Sequence, residues 1–292
     1  MVALTTPATK HQTPSYPTSF KNDLYDAERI RKKILLNYSI VGSVLFIGLI
    51  IEAVTWMSIA LLVIAVFVLV YTYWFGIPVS TFENMYLHAV TNHTLQKNAG
   101  LEVDYGAHLR ASELQHNKWL LQDPDYFGGK HLLYGRVQGV DMRISEVYYR
   151  VKPTLGLCDQ TGVFNGIVVC APVQAATQQP WIMTTRDGLY HQTSTDIPVL
   201  SAQSVINNPQ FTQDVQQVAS SLHQFSTEHQ VPAVCSYVDG QFSVAFLLPT
   251  GFHYFRPSIT SSVFNMQPVE RYDRDLQFLI GLTTAFGSGR QV

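Results

Sequence analysis

Between Lys33 and Glu83 the chain carries a single charged residue, Glu52. Uncharged apolar runs of that length constrain a fold more than any other feature, because few water-facing domains can hide them and lipid accepts them readily. The first run, Ile34 to Ile51, and the second, centred on Met57 to Phe75, each rise roughly 27 to 29 Å as helices, close to the thickness of a bilayer's hydrocarbon. Between Ile59 and Val70 every residue except Ala60 and Ala65 is Leu, Ile, Val or Phe, so insertion is expected to gain about 3 to 6 kcal/mol. The first run is more polar, with Asn37, Ser39, Gly42, Ser43 and Gly48, and Ser39 and Ser43 have the spacing that lets a neighbouring helix approach closely. The connection from Glu52 to Trp56 is short enough only for a tight turn, and the expectation is a two-helix transmembrane hairpin over 34–75.

Orientation follows from Arg29, Arg31, Lys32 and Lys33, which sit directly before the first run while the turn offers only Glu52. The positive-inside bias then places both termini in the cytoplasm of a two-span protein of the cell inner membrane, with the lipid bilayer as its first partner. The 33-residue arm and the lack of a small-residue cleavage site speak against a cleaved signal peptide.

Composition narrows the rest. With 47% hydrophobic and 14% charged residues the chain can bury a core, and a net charge of −2 gives no basic surface for nucleic acid. Cys158, Cys170 and Cys235 are too widely spaced for a disulfide framework or a metal knuckle. The expected organisation is a disordered, basic arm over 1–33, the hairpin over 34–75, a connector helix over 76–100 and a cytoplasmic α+β domain over 101–292 with a largely antiparallel sheet and packed helices.

Within that domain, Leu132–Val137, Gln138-Gly139 and Val140–Val151 read as a hairpin, as do Val234–Val238, Asp239-Gly240 and Phe242–Leu248. Val140, Met142 and Ile144 share one face of the second strand and Val147, Tyr149 and Val151 the other, a phase slip around Ser145-Glu146 that predicts a bulge. Gly162–Pro172 and Trp181–Thr184 read as further strands. The region Ser204–Gln230 is helical with a break near Asn207-Asn208-Pro209, and a closing helix runs from about Val269 to Phe286.

Searching for chemistry yields little. His88 and His93 are five apart and His223 and His229 six apart, which is not the spacing of a helical zinc site, so solvated or core-edge histidines are expected and no metal. Gly128-Gly129-Lys130 lacks the first glycine and the hydroxyl residue of a phosphate loop. No nucleophile elbow is present, Cys170 and Cys235 lie among apolar strand residues as inert thiols, and neither a catalytic residue nor a cofactor is assigned. Asp123 and Asp125 have a spacing at which two carboxylates can converge on a hard cation, but a turn in which Pro124 fixes φ and the carboxylates accept local backbone N–H bonds is the plainer reading. Glu146, at the phase slip, is the carboxylate most able to be re-aimed into a pocket, although an edge charge facing water is the plainer reading.

The blocks DYFGGKHLLYGRVQGVDMRISEVYYRVK (Asp125 to Lys152) and GVFNGIVVCAP (Gly162 to Pro172) resemble a bacterial family of membrane proteins, domain of unknown function 3137. The likeness rests on Ser145-Glu146-Val147, Phe164-Asn165-Gly166, Leu248-Pro249-Thr250-Gly251 and Phe255-Arg256-Pro257 and covers about a third of the chain. It implies two transmembrane helices ahead of the domain, and since the family has no assigned activity it carries over no catalytic residue.

Two functions are therefore expected in order. The first is a protein-interaction or scaffold module with a protein partner or self-association. The second is a small-ligand sensor or enzyme whose pocket forms beside the 132–151 hairpin from Asp125, Tyr126 and Glu146. A broad exposed apolar patch favours the first, and convergent polar groups in an enclosed apolar pocket favour the second.

Overall fold

The computed structural model describes residues 16–52, 63, 66–67, 70, 78–98, 100–114, 126–150, 163–173, 179–185, 197–248 and 259–287. They fall into two compact units. One takes the chain through His93 together with 257–266, and the other takes 94–256 and the chain from Gln267 onward.

The first unit is helical. Helix α1 (Thr18–Glu52) is continuous, and α2 (Val79–Lys97) contributes its residues up to His93. Phe20, Leu24, Ala27, Glu28, Arg31 and Ile34 form the buried stripe of α1 at three-to-four-residue spacing. Phe20 stacks on His93 with ring centroids 4.2 Å apart, and Phe82, Tyr86 and Val90 are buried along α2. The two charges in the α1 stripe satisfy each other: Arg31 Nε donates to Glu28 Oε2 at 2.8 Å and Arg31 Nη2 to Glu28 Oε1 at 2.7 Å. Segment 259–263 closes over them, with Arg31 Nη1 donating to the Ile259 carbonyl at 3.0 Å and the Val263 N–H to Glu28 Oε2 at 3.3 Å. The hydrogen bond from Arg31 lowers the Glu28 pKa against the opposing effect of burial.

This geometry overturns the transmembrane hairpin and the inner-membrane localisation. Among the described residues no helix is long and apolar enough to cross a membrane. Helix α1 starts at Thr18, inside the stretch expected to be the arm, so the charged residues and the first apolar run share one helix. Arg31, one of the four basic residues used to orient the hairpin, is buried against Glu28 instead of facing a lipid headgroup. Most of the second apolar run, and residues 1–15 of the arm, lie outside the described residues.

The second unit is α+β, built on an eight-stranded mixed sheet. The strands are β1 (Leu101–Asp104), β2 (Tyr126–Val137), β3 (Val140–Arg150), β4 (Val163–Pro172), β5 (Trp181–Thr184), β6 (Val199–Ser201), β7 (Ala233–Val238) and β8 (Gln241–Leu247). Their order is β1-β2-β3-β4-β8-β7-β5-β6, antiparallel except for the parallel pair β5 and β6. Both hairpins turn on two residues with positive φ, Gln138 (51°) with Gly139 (86°) and Asp239 (51°) with Gly240 (75°), the conformation whose twist suits paired strands. The irregularity expected near Ser145 sits in the partner strand. The β2 register shifts between Lys130 and Leu133 while β3 runs regularly along β4, and Ser145 Oγ donates to the Lys130 carbonyl at 3.1 Å.

Strand alternation assigns the two faces of the sheet. On one, Val147, Tyr149, Phe164, Val168, Ile182, Val234 and Ala245 form a buried core with Leu109 and Leu114, the latter ending a 3-10 turn over Ala111–Leu114. On the other lie helices α3 (Ala202–Ile206), α4 (Gln213–His229) and α5 (Gln267–Gly287), with Phe225 of α4 against Phe246 of β8 at 4.7 Å and Phe286 of α5 against Phe242 of β8 at 4.6 Å. Gly166 of β4 is required by close packing, since a Cβ there would stand 2.2 Å from the Phe246 carbonyl oxygen.

Candidate functional site

The helix-covered face holds an enclosed pocket of about 270 Å³. Its apolar wall is Ile167 of β4, Phe246 of β8, Leu248, Phe225 of α4 and Leu279 of α5. Four polar residues line it: His229 in the last turn of α4, Gln230 just after it, and Arg271 and Asp275 one turn apart on α5.

The local folding is legible in the residues. Helix α4 stops where Gln230 takes a left-handed conformation (φ 54°), its N–H returning to the Ser226 carbonyl, so His229 is fixed against Phe225 with ring centroids 4.1 Å apart. Phe225 is in turn stacked on Phe278 of α5 at 4.5 Å. On α5 the buried positions Val269, Tyr272, Leu276 and Leu279 define the inward face, and Asp275 falls on it, 2% exposed.

The polar contacts specify one arrangement. Arg271 Nη2 lies 2.8 Å from His229 Nδ1, and since a guanidinium only donates, Nδ1 accepts. The imidazole proton then sits on Nε2, which faces Asp275 Oδ1 across 3.3 Å. Burial, followed by the charges of Arg271 and Arg274 and opposed by Glu228, lowers the His229 pKa, consistent with a neutral ring. Asp275 Oδ2 is buried with no hydrogen-bond partner, and its nearest cation, Arg271 Nε, is 3.7 Å away. Burial and the charge of Glu228 push the Asp275 carboxyl up to about 7, so near neutrality it is divided between the acid and the carboxylate. The site thus offers an apolar chamber, a cation at its mouth (the Arg271 side chain is 53% exposed) and one unsatisfied oxygen that can give or take a proton. No Ser, Thr or Cys lies in the described wall, so the arrangement can bind and exchange a proton but presents no nucleophile of its own.

A larger, more open cleft of about 850 Å³ lies on the opposite face, at the turn end of the β2–β3 hairpin. Its wall includes Leu109, Tyr134, Met142 and Gln241 and a Glu113–Arg143 ion pair, with Arg136 and Asp141 exposed at the rim. Cys170, at its base, is fully buried and its thiol is pushed up to about 12, and burial also raises Cys235, so both thiols are inert.

The residues singled out in the sequence are dispersed. Asp125 lies outside the described residues. Tyr126, at the start of β2, is exposed and pairs with Tyr148, their rings 5.7 Å apart. Glu146 is 3% exposed and stands opposite Lys130 of β2 and Ile167 of β4, four positions along β3 from the partner of Tyr126, roughly 13 Å away. It shares its cross-strand row with Ile167 and Phe246, two walls of the enclosed pocket, and is therefore one strand from that site. His223 and His229 share a helix, yet the polar partners of His229 come from α5, more than forty residues on. The readable signal is Asp275, an acidic residue at an apolar-face position of an amphipathic helix. Among the described residues no three His, Cys, Asp or Glu side chains gather as a metal-holding group.

No family model, no curated protein and no solved structure matches the chain.

Proposed function

We propose that the α+β unit is a binding module for a small, mainly apolar molecule, held in the pocket between α4, α5 and the β4–β8 strands. The observation that carries this reading is Asp275 Oδ2, a buried acceptor without a hydrogen bond at the wall of an apolar cavity. Leaving such a group unmet costs about 1 to 3 kcal/mol, which a ligand that meets it returns on binding. The pocket approaches the size range of small-molecule sites and has their usual mix of an apolar wall and a few convergent polar groups.

The test uses the full chain with isotope-labelled Ile and Leu methyls, titrated with uncharged indole. Saturable shifts confined to Ile167, Leu248 and Leu279 support the reading, and shifts elsewhere only, or none, remove it.

A second reading rests on α1, where Leu36, Ile40, Leu45, Phe46 and Ile47 are exposed. Exposed apolar side chains of that size suit a protein partner or a second copy of the chain. Sedimentation of the full chain and of Phe46→Asp, compared across concentration, decides whether copies associate through it.

A further inference from the structure

The same pocket selects for more than apolar bulk, a narrowing that rests on the binding-module reading of the α+β unit. Three groups converge where the wall meets solvent. Arg271 is half exposed and touches His229 and, at 3.7 Å, Asp275. Both His229 nitrogens face groups of the site, Nδ1 accepting from Arg271 and Nε2 standing 3.3 Å from Asp275 Oδ1. Asp275 Oδ2 alone is unmet.

A ligand ammonium there would face the Arg271 guanidinium at close range. A ligand oxygen beside Arg271 Nε and Asp275 Oδ2 would accept from the guanidinium and, when Asp275 carries its proton, from the carboxyl O–H as well, and charge-assisted bonds of that kind are the strong ones. We propose that the pocket binds a monocarboxylic acid, its carboxylate shared by Arg271 and Asp275 and its apolar body lying among Phe225, Phe246, Leu248 and Leu279. An apolar cavity of about 150 Å³ admits benzene, so about 270 Å³ admits a molecule of roughly ten non-hydrogen atoms.

The charge balance fixes a proton step. The charges acting on this site come from Arg271, Arg274 and Asp275 of α5 and Glu228 and His229 of α4, with Glu146 of β3 one strand behind Ile167; β4 and β8 present Ile167 and Phe246. His229 is neutral in the arrangement described, so Asp275 is the group that must be uncharged for an anion to sit against it. Above the Asp275 pKa of about 7, binding therefore takes up to one proton from solvent, which stays on Asp275 Oδ2, and no covalent bond to the ligand changes.

The experiment is calorimetric titration of the full chain with 3-phenylpropanoate and its uncharged analogues 3-phenylpropanamide and 3-phenylpropan-1-ol, at pH 6 and pH 8, in two buffers of different ionisation enthalpy. The acid is expected to bind about tenfold or more tighter than the amide at pH 6. That preference should shrink by up to about tenfold at pH 8, with proton uptake visible as a buffer-dependent heat. Arg271→Gln should erase the preference by weakening the acid far more than the amide, and Leu248→Trp should block all three. Asp275→Asn keeps a donor at the site, so it should retain the preference and lose the pH dependence. Equal affinity of acid and amide, or a preference indifferent to Arg271→Gln, overturns the carboxylate assignment while the pocket itself stands. Failure of all three probes to bind overturns the pocket reading together with it.

Discussion

Replacing Asp275 by Asn removes a charge that the fold tolerates poorly and keeps nearly the same shape. The carboxyl titrates near 3.8 when exposed and is pushed up to about 7 in the folded protein by burial and by Glu228. Between those values the native state holds a proton that the unfolded chain has lost. The stability contributed by the protonated form is therefore complete below about pH 4 and is lost as the pH rises to about 7. About three units at 1.36 kcal/mol each set a ceiling near 4 kcal/mol. The Arg271 guanidinium 3.7 Å from Oδ2 and the His229 Nε2 3.3 Å from Oδ1 favour the carboxylate, so about 2 to 4 kcal/mol is the range to look for. The assay is hydrogen exchange of the β7 and β8 amides in both proteins from pH 4.5 to 8.5, where the difference at each pH cancels the intrinsic exchange rate. The variant should gain on the wild type steadily from about pH 4.5 to 7 and hold a constant margin above that. A difference that is flat with pH, or that turns against the variant as the pH rises, refutes the claim that Asp275 is buried at the expense of its charge.

Other perturbations test the same geometry. Gly166→Ala drives a Cβ against the Phe246 carbonyl oxygen and should destabilise the sheet by more than about 2 kcal/mol, read as earlier denaturant unfolding. Phe225→Ala removes the ring that joins His229, Phe246 and Phe278 and should cost about 3 to 5 kcal/mol, with loss of indole binding. Arg31→Met leaves Glu28 buried with only the exposed Lys32 ammonium, 3.8 Å away, and should weaken the helical unit by about 3 kcal/mol, visible as faster proteolysis around residues 259–266, whereas the double replacement with Glu28→Leu should restore much of that loss. Cys170 and Cys235 should resist a thiol reagent in the native protein and react once denaturant is added.

The strand-rich half was the more legible part because its signals are local. Asp239-Gly240 and Gln138-Gly139 announce their turns in two residues, and α5 is read from Val269, Tyr272, Leu276 and Leu279 alone. The three-residue β6 escaped because so short a strand has no periodicity and exists only by pairing in parallel with β5. The slip at Ser145 was visible as a change of phase, yet the extra residue belongs to β2 opposite it, and pattern in one strand cannot say which partner bulges. The transmembrane expectation failed by weighing the uncharged run without the sixteen-odd helical residues that precede it in α1, where a Glu28–Arg31 pair is buried against a segment from the far end of the chain. The candidate site was nearly illegible, because His229 meets Arg271 and Asp275 only after α4 and α5 pack side by side.

The clasp of residues 259–263 over Glu28 and Arg31 has a consequence for biosynthesis. The Val263 N–H reaches a carboxylate 235 positions earlier, so that carboxylate leaves the ribosome long before its last partner exists. At about 5 to 20 residues per second the interval is roughly ten to fifty seconds, during which α1 must wait while much of the sheet is already being made. A nascent chain halted just before Ile259 should therefore leave α1 vulnerable to a chaperone or a protease, and one halted well past Val263 should not.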